Sequence, residues 1–244
     1  MTNLLVELAG PVATLTLNRP EKRNALDDAL VAALTRALRG FERNDDVHVV
    51  LLRAAGPDFC AGADLVQTDR HARELDTVGN LGDATLLGTL FITMRRLQVP
   101  IVAAVHGRAL AGGAGLAMGC DLVLMHEQAE MGYPEVHKGL VPAMVGAILR
   151  RNVGEKIAFD LLARGGRIGA AECLRLGLVN RVVSDASFEE VVQQFVGELA
   201  ASPRATLTLI KRLLYGVDNA SFEDAIGRGA EINILARLSS ARRT

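Results

Sequence analysis

The chain has 244 residues, and its 27 basic and 28 acidic side chains leave a formal net charge of −1. Hydrophobic residues make up 50% of the chain and charged residues 23%, a composition that excludes a disordered protein. The balanced charge gives no support to nucleic-acid binding. A chain of this length forms one large domain or a domain with an appendage. We predict a core over residues 1–184 and a helical region over 185–244.

The cysteines and the N-terminal segment bear on metal content and compartment. Cys60, Cys120 and Cys173 are far apart and form no C-x-x-C pair, so we expect neither a disulfide framework nor a metal site. Unpaired thiols favour a cytoplasmic location. The N-terminus lacks the basic start and apolar core of a secretory signal, and no apolar run approaches about 18 residues, so we expect no contact with a membrane.

The first hundred residues alternate between strand and helix patterns. Apolar runs on both sides of Gly10 and Pro11 predict a β-hairpin with strands over 4–8 and 12–17. Leucines at helical spacing predict a helix from Asp27, whose carboxylate suits the N-cap position. A strand over 47–53 and a helix over 81–97 come next.

The rest of the chain continues this alternation and then becomes helical. The predicted strands are 101–105, 122–125 and 179–183. The predicted helices are two within 144–163, then 170–176, 188–200, 206–215 and 222–238. Strands that alternate with helices, followed by a largely helical last third, predict an α/β fold.

The stretch 101–121 is the most informative part of the sequence. A short apolar run typical of a buried strand leads into Gly107, Gly112, Gly113 and Gly115, and small residues suited to a packed helix come after them. Backbone N–H groups at such a turn point outward at the positive end of a helix dipole and can hold negative charge. A packing turn without chemistry is the alternative. The glycine spacing is one residue too long for the dinucleotide fingerprint.

Three further segments carry candidate binding and catalytic groups. Ala61 and Ala63 lie in a second small-residue turn, where backbone N–H groups could face a ligand, and Asp64 could cap the segment after this turn. The polar loop 18–24 carries three cations that suit either a solvated turn or a phosphate contact. Glu135 precedes an apolar segment, and apolar surroundings raise a carboxyl pKa toward the range of a general acid or base. An ordinary surface glutamate is the alternative.

Five segments occur together in one order. They are NRPEKRNAL (18–26), FCAGADL (59–65), AAVHGRALAGGAGLAMGCD (103–121), PEVHKGLVP (134–142) and AAECLRLGLVNRVV (170–183). Together they resemble the crotonase superfamily, the enoyl-CoA hydratase/isomerase family, over about residues 3–236. The resemblance implies a crotonase (ClpP-like) spiral of β-β-α units with a C-terminal helical trimerisation region. It also implies an acyl-CoA substrate, no separate cofactor, and a homotrimer or dimer of trimers.

The resemblance also implies roles for individual residues. The backbone N–H groups of Ala63 and Gly112 would hold the thioester oxygen as it becomes enolate-like, and Glu135 would be an acid/base. Four residues would follow the adenine and pantetheine of coenzyme A: Ala25, Ala61, Asp64 and Leu65. Lys22 or Arg23 would meet its phosphates.

Gly115 departs from the family pattern, because it stands where the family's other acid/base glutamate falls. One carboxylate is enough to move a proton from C2 to C4, which argues for a Δ3,Δ2-enoyl-CoA isomerase. The segments around the glycines also resemble a bacterial branch similar to methylglutaconyl-CoA hydratases, and this favours hydration of a 2-enoyl-CoA. A second acid from Asp69, Glu74 or Asp83 could fill the space beside Gly115. A non-catalytic acyl-CoA-binding protein is the alternative from another class.

Overall fold

The computed structural model describes residues 2–64 and 77–241, which form a six-stranded and a three-stranded sheet with helices around them. The strands are β1 Leu4–Ala9, β2 Val12–Leu17, β3 Val49–Ala54, β4 Ile101–Val105, β5 Arg108–Leu110, β6 Leu122–His126, β7 Glu130–Gly132, β8 Arg167–Gly169 and β9 Arg181–Val183. The helices are α1 Asp28–Glu42, α2 Thr77–Arg96, α3 Gly112–Met118, α4 Ala143–Asn152, α5 Glu155–Arg164, α6 Ala170–Arg175, α7 Phe188–Ala200, α8 Arg204–Gly216 and α9 Phe222–Ala241.

The larger sheet has the strand order β1-β2-β3-β4-β6-β9. Strands β1 and β2 form the predicted antiparallel hairpin, and all other neighbours in this sheet are parallel. Every residue of β4 is buried, as is every residue of β3 except Arg53. Continuous apolar strands of this kind form where helices cover both faces of a parallel sheet.

Helices pack on both faces of this sheet. Leu30, Leu34 and Leu38 of α1 lie in the main core, and the Asp27 carboxylate caps the helix by accepting the Leu30 N–H at 2.8 Å. On the other face, Val192 and Val196 of α7 lie in a second core. The strand residues of that core are Val49, Leu51, Val102, Ala104 and Leu124.

The smaller sheet was not predicted from the sequence. Its order is β5-β7-β8, and each strand has three residues. Three residues are too few to show an alternating pattern, so the sequence after β4 predicts only a glycine-rich turn. This sheet positions the candidate site, because β5 leads into α3 and β7 leads into the 3-10 helix Pro134–Lys138 that carries Glu135.

Several sequence predictions concern residues outside the described ranges. Leu65, Asp69 and Glu74 lie there, and the side chain of Asp83 is likewise not described. Within residues 2–64 and 77–241, no helix has both the length and the apolar content needed to cross a membrane.

Candidate active site

The two small-residue turns are held side by side by backbone hydrogen bonds. The Cys60 N–H donates to the Arg108 carbonyl at 3.0 Å, and the Leu110 N–H donates to the Cys60 carbonyl at 2.9 Å. The first turn therefore runs parallel to β5, which ends two residues before Gly112. This pairing fixes the register between the N–H groups of Ala63 and Gly112, 49 positions apart in sequence.

An ion pair strengthens the same junction. Asp58, with 3% of its surface exposed, accepts hydrogen bonds from Arg108 Nε at 2.6 Å, Arg108 Nη2 at 2.7 Å and the Arg108 backbone N–H at 3.1 Å. These hydrogen bonds hold the pKa of the Asp58 carboxyl below its usual value. A bidentate pair of this geometry fixes orientation as well as distance, so Asp58 and Arg108 align the turn with β5.

The two predicted oxyanion donors approach each other closely. A methyl group placed on Gly112 would lie 3.7 Å from the Ala63 backbone nitrogen, and one placed on Gly62 would lie 3.3 Å from the Gly112 nitrogen. Gly62 has a φ of +94° and Ala111 one of +51°, which is rare for a residue with a side chain. Neither the Ala63 N–H nor the Gly112 N–H meets an acceptor in the described part of the chain. Two open donors therefore lie together.

Glu135 reaches this region through β7. The Ala111 N–H, one residue before Gly112, donates to the carbonyl of Gly132 at 2.8 Å, and Glu135 follows three residues later. Its Oε2 atom is buried and receives no hydrogen bond from any described residue. Burial raises the pKa of this carboxyl above the ordinary 4.5, and Lys138 lowers it only in part. A buried, unpaired carboxylate oxygen is costly, and such groups concentrate at functional sites.

The raised pKa of Glu135 predicts a pH-dependent gain in stability for Glu135→Gln. Below about pH 4.5 the carboxyl is protonated in both folded and unfolded chains, so it adds no pH-dependent penalty. As the pH rises through the folded-state pKa, ionisation costs the folded protein more than the unfolded one. We expect the melting temperature of Glu135→Gln to exceed that of the wild type near pH 8, with the gap narrowing toward about pH 4. Thermal unfolding of both proteins across this pH range measures the difference in melting temperature. A difference that widens on acidification contradicts the prediction.

Apolar side chains occupy the space in front of Gly115. A methyl group at this position would lie 2.4 Å from Val145 Cγ1 and 3.2 Å from Phe91 Cζ. The prediction that Asp69 or Glu74 fills this space concerns residues outside the described ranges, but α2 and α4 already supply its lining. No larger side chain fits at position 115 unless Val145 moves.

This packing predicts that Gly115→Ala is destabilising and that Val145→Ala relieves the effect. Forcing one methyl group into a filled core costs about 1–3 kcal/mol, because neighbouring side chains must leave their preferred rotamers. We expect Gly115→Ala to cost less in the Val145→Ala background than in the wild type. Urea denaturation of the four proteins measures the coupling free energy. Equal costs in both backgrounds would show that Val145 does not limit the space.

Apart from Leu65, which lies outside the described ranges, the predicted coenzyme A residues gather on one strip of backbone. The Ala61 N–H donates to the Arg23 carbonyl at 3.0 Å, and the Asp64 N–H donates to the Leu26 carbonyl at 2.9 Å. Ala25 is buried beside this strip, whereas the Arg23 side chain is exposed and can meet a solvent-facing phosphate. The structure thus brings Arg23, Ala25, Ala61 and Asp64 together beside the oxyanion turn.

Arg19 is a positioning residue that the sequence did not single out. In the sequence Arg19 is one of three cations of the loop 18–24, yet its side chain is 11% exposed and points inward. Its guanidinium donates to the Ala25 carbonyl at 2.5 Å and lies 3.1 Å from Asp64 Oδ2 and 3.2 Å from Asp27 Oδ2. Arg19 thereby links Ala25 and the α1 N-cap residue Asp27 to Asp64, which follows Ala63. No sequence signal separates it from Lys22 and Arg23.

We expect Arg19→Lys to lower kcat by about tenfold to a hundredfold, with little change in the Kd for an acyl-CoA ester. An ammonium group lacks the planar fork that serves three acceptors at once, so the Ala63 N–H loses its fixed position. The control is Arg53→Lys, since Arg53 also forms a bidentate pair, with Glu189, away from this site. An equal loss of kcat in both variants, or a change in KM alone, contradicts the role of Arg19 as a positioning residue.

Other reactive side chains near the site serve the structure. Burial raises the pKa of the Cys60 thiol to about 12, so it is not a nucleophile at neutral pH. His106 Nε2 lies 2.8 Å from the Gly56 carbonyl and His137 Nε2 lies 3.2 Å from the Gly165 carbonyl. These contacts hold the loops around the site.

Comparisons with known proteins find relatives that match nearly the whole chain. The sequence profile of the enoyl-CoA hydratase/isomerase family matches residues 7–234. A Thermus thermophilus protein provisionally named an enoyl-CoA hydratase is 41% identical over 93% of this chain and 90% of its own length. The Escherichia coli 1,2-epoxyphenylacetyl-CoA isomerase is 31% identical over 98% of this chain and 92% of its own.

A solved structure confirms the predicted architecture. The enoyl-CoA hydratase of Mycobacterium smegmatis superposes with a TM-score of 0.91 and 33% identity, over 96% of this chain and 90% of that one. The mixed α/β arrangement with helices at the C-terminus is thus the crotonase fold. The chain belongs to the enoyl-CoA hydratase/isomerase family and is an enzyme of that family.

Proposed function

We propose that this enzyme transfers protons at the carbon next to an acyl-CoA thioester, with Glu135 as acid/base and the Ala63 and Gly112 N–H groups as oxyanion donors. One observation supports the proposal. Two neighbouring backbone N–H groups that have no acceptor among the described residues are connected, through the Ala111–Gly132 hydrogen bond, to the segment that bears a buried carboxylate oxygen without a described partner. This combination suits the formation of an enolate. The donors meet the negative charge as it develops on the thioester oxygen while the carboxylate takes the proton from C2.

The energetics of this arrangement are favourable for catalysis. Each preorganised donor at a developing oxyanion is worth about 3 kcal/mol. The raised pKa of Glu135 brings the basicity of the carboxylate closer to what proton abstraction needs near neutral pH. Arg108 and Asp58 hold the donors in place before substrate arrives, so little reorganisation is required during the reaction.

Double-bond migration is the reaction that the geometry supports best. Val145 and Phe91 close the space in front of Gly115, which leaves Glu135 as the carboxylate with a buried, unpartnered oxygen among the described residues. In a 3-enoyl-CoA, Glu135 would remove the C2 proton, the electrons would pass through a dienolate, and the same carboxyl would return a proton to C4. The product is the 2-enoyl-CoA, and no water is consumed.

Hydration of a 2-enoyl-CoA is the second candidate, favoured by the hydratase names of the Thermus and Mycobacterium relatives. Glu135 alone would then have to activate the water that adds at C3 and deliver a proton to C2. Sequence resemblance to the methylglutaconyl-CoA hydratase branch agrees with this interpretation, whereas the described side chains nearest to Gly115, Val145 and Phe91, are apolar and offer that water no hydrogen bond.

Substrate contacts and assembly complete the proposal. Coenzyme A, held as part of the substrate, would follow Ala25, Ala61, Asp64 and Leu65, with its phosphates near Arg23. A homotrimer, or a dimer of trimers, would cover the apolar side chains that α9 exposes. These are Phe222, Ile226, Ile234 and Leu238, each more than half exposed.

Product analysis separates the candidates. The purified enzyme is given a 2-enoyl-CoA and, separately, a 3-enoyl-CoA, and the esters are resolved by chromatography. Conversion of the 3-enoyl to the 2-enoyl ester without a hydroxylated product supports isomerisation. A 3-hydroxyacyl product from the 2-enoyl ester supports hydration instead. Binding of both esters without conversion of either contradicts the proposed function.

A further inference from the structure

A basic cavity of about 670 Å³ lies between the C-terminal part of α2 and helix α8. Four of its lining residues are cationic and none is acidic: Arg95, Arg96, Lys211 and Arg212. The chain as a whole carries a net charge of −1, so this concentration of positive charge is local.

Two of these cations are already used to dock α8. Lys211 is buried, and its Nζ donates to Asp121 Oδ2 at 2.7 Å and to the carbonyls of Met94 at 3.1 Å and Val99 at 3.2 Å. All three of its protons therefore have acceptors. Arg95 pairs with Asp218 and lies 3.8 Å from the centre of the Tyr215 ring.

The other two cations and one hydroxyl remain available. Neither Arg96 nor Arg212 lies within ion-pairing distance of a carboxylate in residues 2–64 and 77–241. Thr208 also lines the cavity, and its Oγ1 is buried without a hydrogen-bond partner there. Thr208 and Arg212 are one helical turn apart, so both belong to the same face of α8. Buried hydroxyls nearly always have a partner, which makes this one informative.

The surroundings increase the positive character of the cavity. Asp218 is shared between Arg95 and Arg151, so one carboxylate faces two guanidinium groups. Burial, together with the nearby charge of Arg151, lowers the pKa of Arg95 from its usual value. Burial is the larger of these two causes, and repulsion by the Arg151 guanidinium adds to it.

We propose that this cavity is a second binding site, for a phosphate-bearing anion, with Arg96, Arg212 and the Thr208 hydroxyl as its ligands. Guanidinium groups match phosphate oxygens in a bidentate way, and a threonine hydroxyl supplies a further donor. The volume exceeds that of one phosphate, and Ile92 and Leu209 add an apolar wall. A diphosphate group, alone or on a nucleoside, therefore fits the chemistry.

This site is separate from the candidate active site. Asp121, which pairs with Lys211 beside the cavity, also accepts the N–H of Ile101, the first residue of β4. Gly112 follows the other end of the same strand. The inference is independent of the proposed function, because it uses none of the groups assigned to catalysis.

Binding of inorganic pyrophosphate and of ADP to the purified oligomer, measured by calorimetry at about 25 mM salt, tests the proposal. We expect saturable binding that weakens at least about tenfold in Arg96→Gln/Arg212→Gln and by a smaller factor in Thr208→Val. For the binding that Arg96→Gln/Arg212→Gln removes, a higher affinity for ADP than for pyrophosphate identifies a nucleotide site, and equal affinity identifies a site for the diphosphate alone.

The matched control is Arg36→Gln/Arg39→Gln, which removes the same charge from a groove beside α1. In that groove the Thr35 hydroxyl is satisfied by the Val31 carbonyl at 2.9 Å. We expect pyrophosphate affinity within about twofold of wild type in this control. Three results would overturn the proposal: no binding up to about 10 mM pyrophosphate, equal losses in both double variants, or unchanged affinity in the folded Arg96/Arg212 variant.

Discussion

Replacing Glu135 by glutamine is expected to lower kcat by about a thousandfold while leaving the Kd for an acyl-CoA ester nearly unchanged. The amide keeps the size of the side chain but cannot take the C2 proton. The proposed coenzyme A contacts lie on the backbone strip and the loop around Arg23, which the substitution does not touch. Steady-state kinetics with a 2-enoyl and a 3-enoyl ester, together with equilibrium binding of the same esters, separate the two effects.

Glu130→Gln is the control for this experiment. Glu130 lies on β7, five residues before Glu135, and its carboxylate is about half exposed beside Arg167. We expect this variant to retain wild-type turnover. Full activity in Glu135→Gln would remove Glu135 from the mechanism, and a parallel loss in both variants would indicate general damage to this segment.

Removing the Gly112 N–H is expected to slow catalysis by about a hundredfold to a thousandfold. Gly112→Pro deletes this donor, and position 112 is the first residue of α3, where helices tolerate proline best. The loss should fall on kcat rather than on binding, because the donor meets its full charge only in the transition state.

Gly112→Ala controls for the added bulk. A methyl group there would lie 3.4 Å from Leu26 Cδ1, an ordinary contact, and the N–H would remain. We expect this variant to stay within about tenfold of wild-type kcat, since it keeps the interaction that the proline removes. Unchanged kinetics in a folded Gly112→Pro protein would contradict the oxyanion assignment.

The longer elements of the fold could be predicted from sequence because their patterns are long and their ends are marked. The helix that begins after Asp27, the hairpin around Gly10 and the buried strand Ile101–Val105 all formed as expected. The three-residue strands of the small sheet could not be predicted, since no periodicity exists over three residues. These strands pair because later segments of the chain fold back beside β5, and the local sequence pattern contains no signal for such long-range contacts.

The candidate site could likewise be predicted only in part. Resemblance to the family indicated Glu135, Ala63 and Gly112, and the structure brings the two donors together. The supporting contacts of Arg19, Asp58 and Arg108 could not be foreseen, because each pairs with residues far away in sequence. The sequence showed that Gly115 lacks a carboxylate, but only the packing showed that Val145 occupies the vacated space.

Loss of deuterium from C2 of a 3-enoyl-CoA labelled with two deuterons at that carbon tests the central claim most directly. The experiment follows the C2 signal by NMR in ordinary water, with wild-type enzyme and with Glu135→Gln. Proton abstraction by Glu135 takes one deuteron from C2, and the label leaves C2 when the carboxyl delivers it to C4 or exchanges it with water, so we predict rapid loss with the wild type and almost none with the variant. Equal rates with both proteins, or retention of both deuterons with saturating wild-type enzyme, would contradict enolate formation by Glu135.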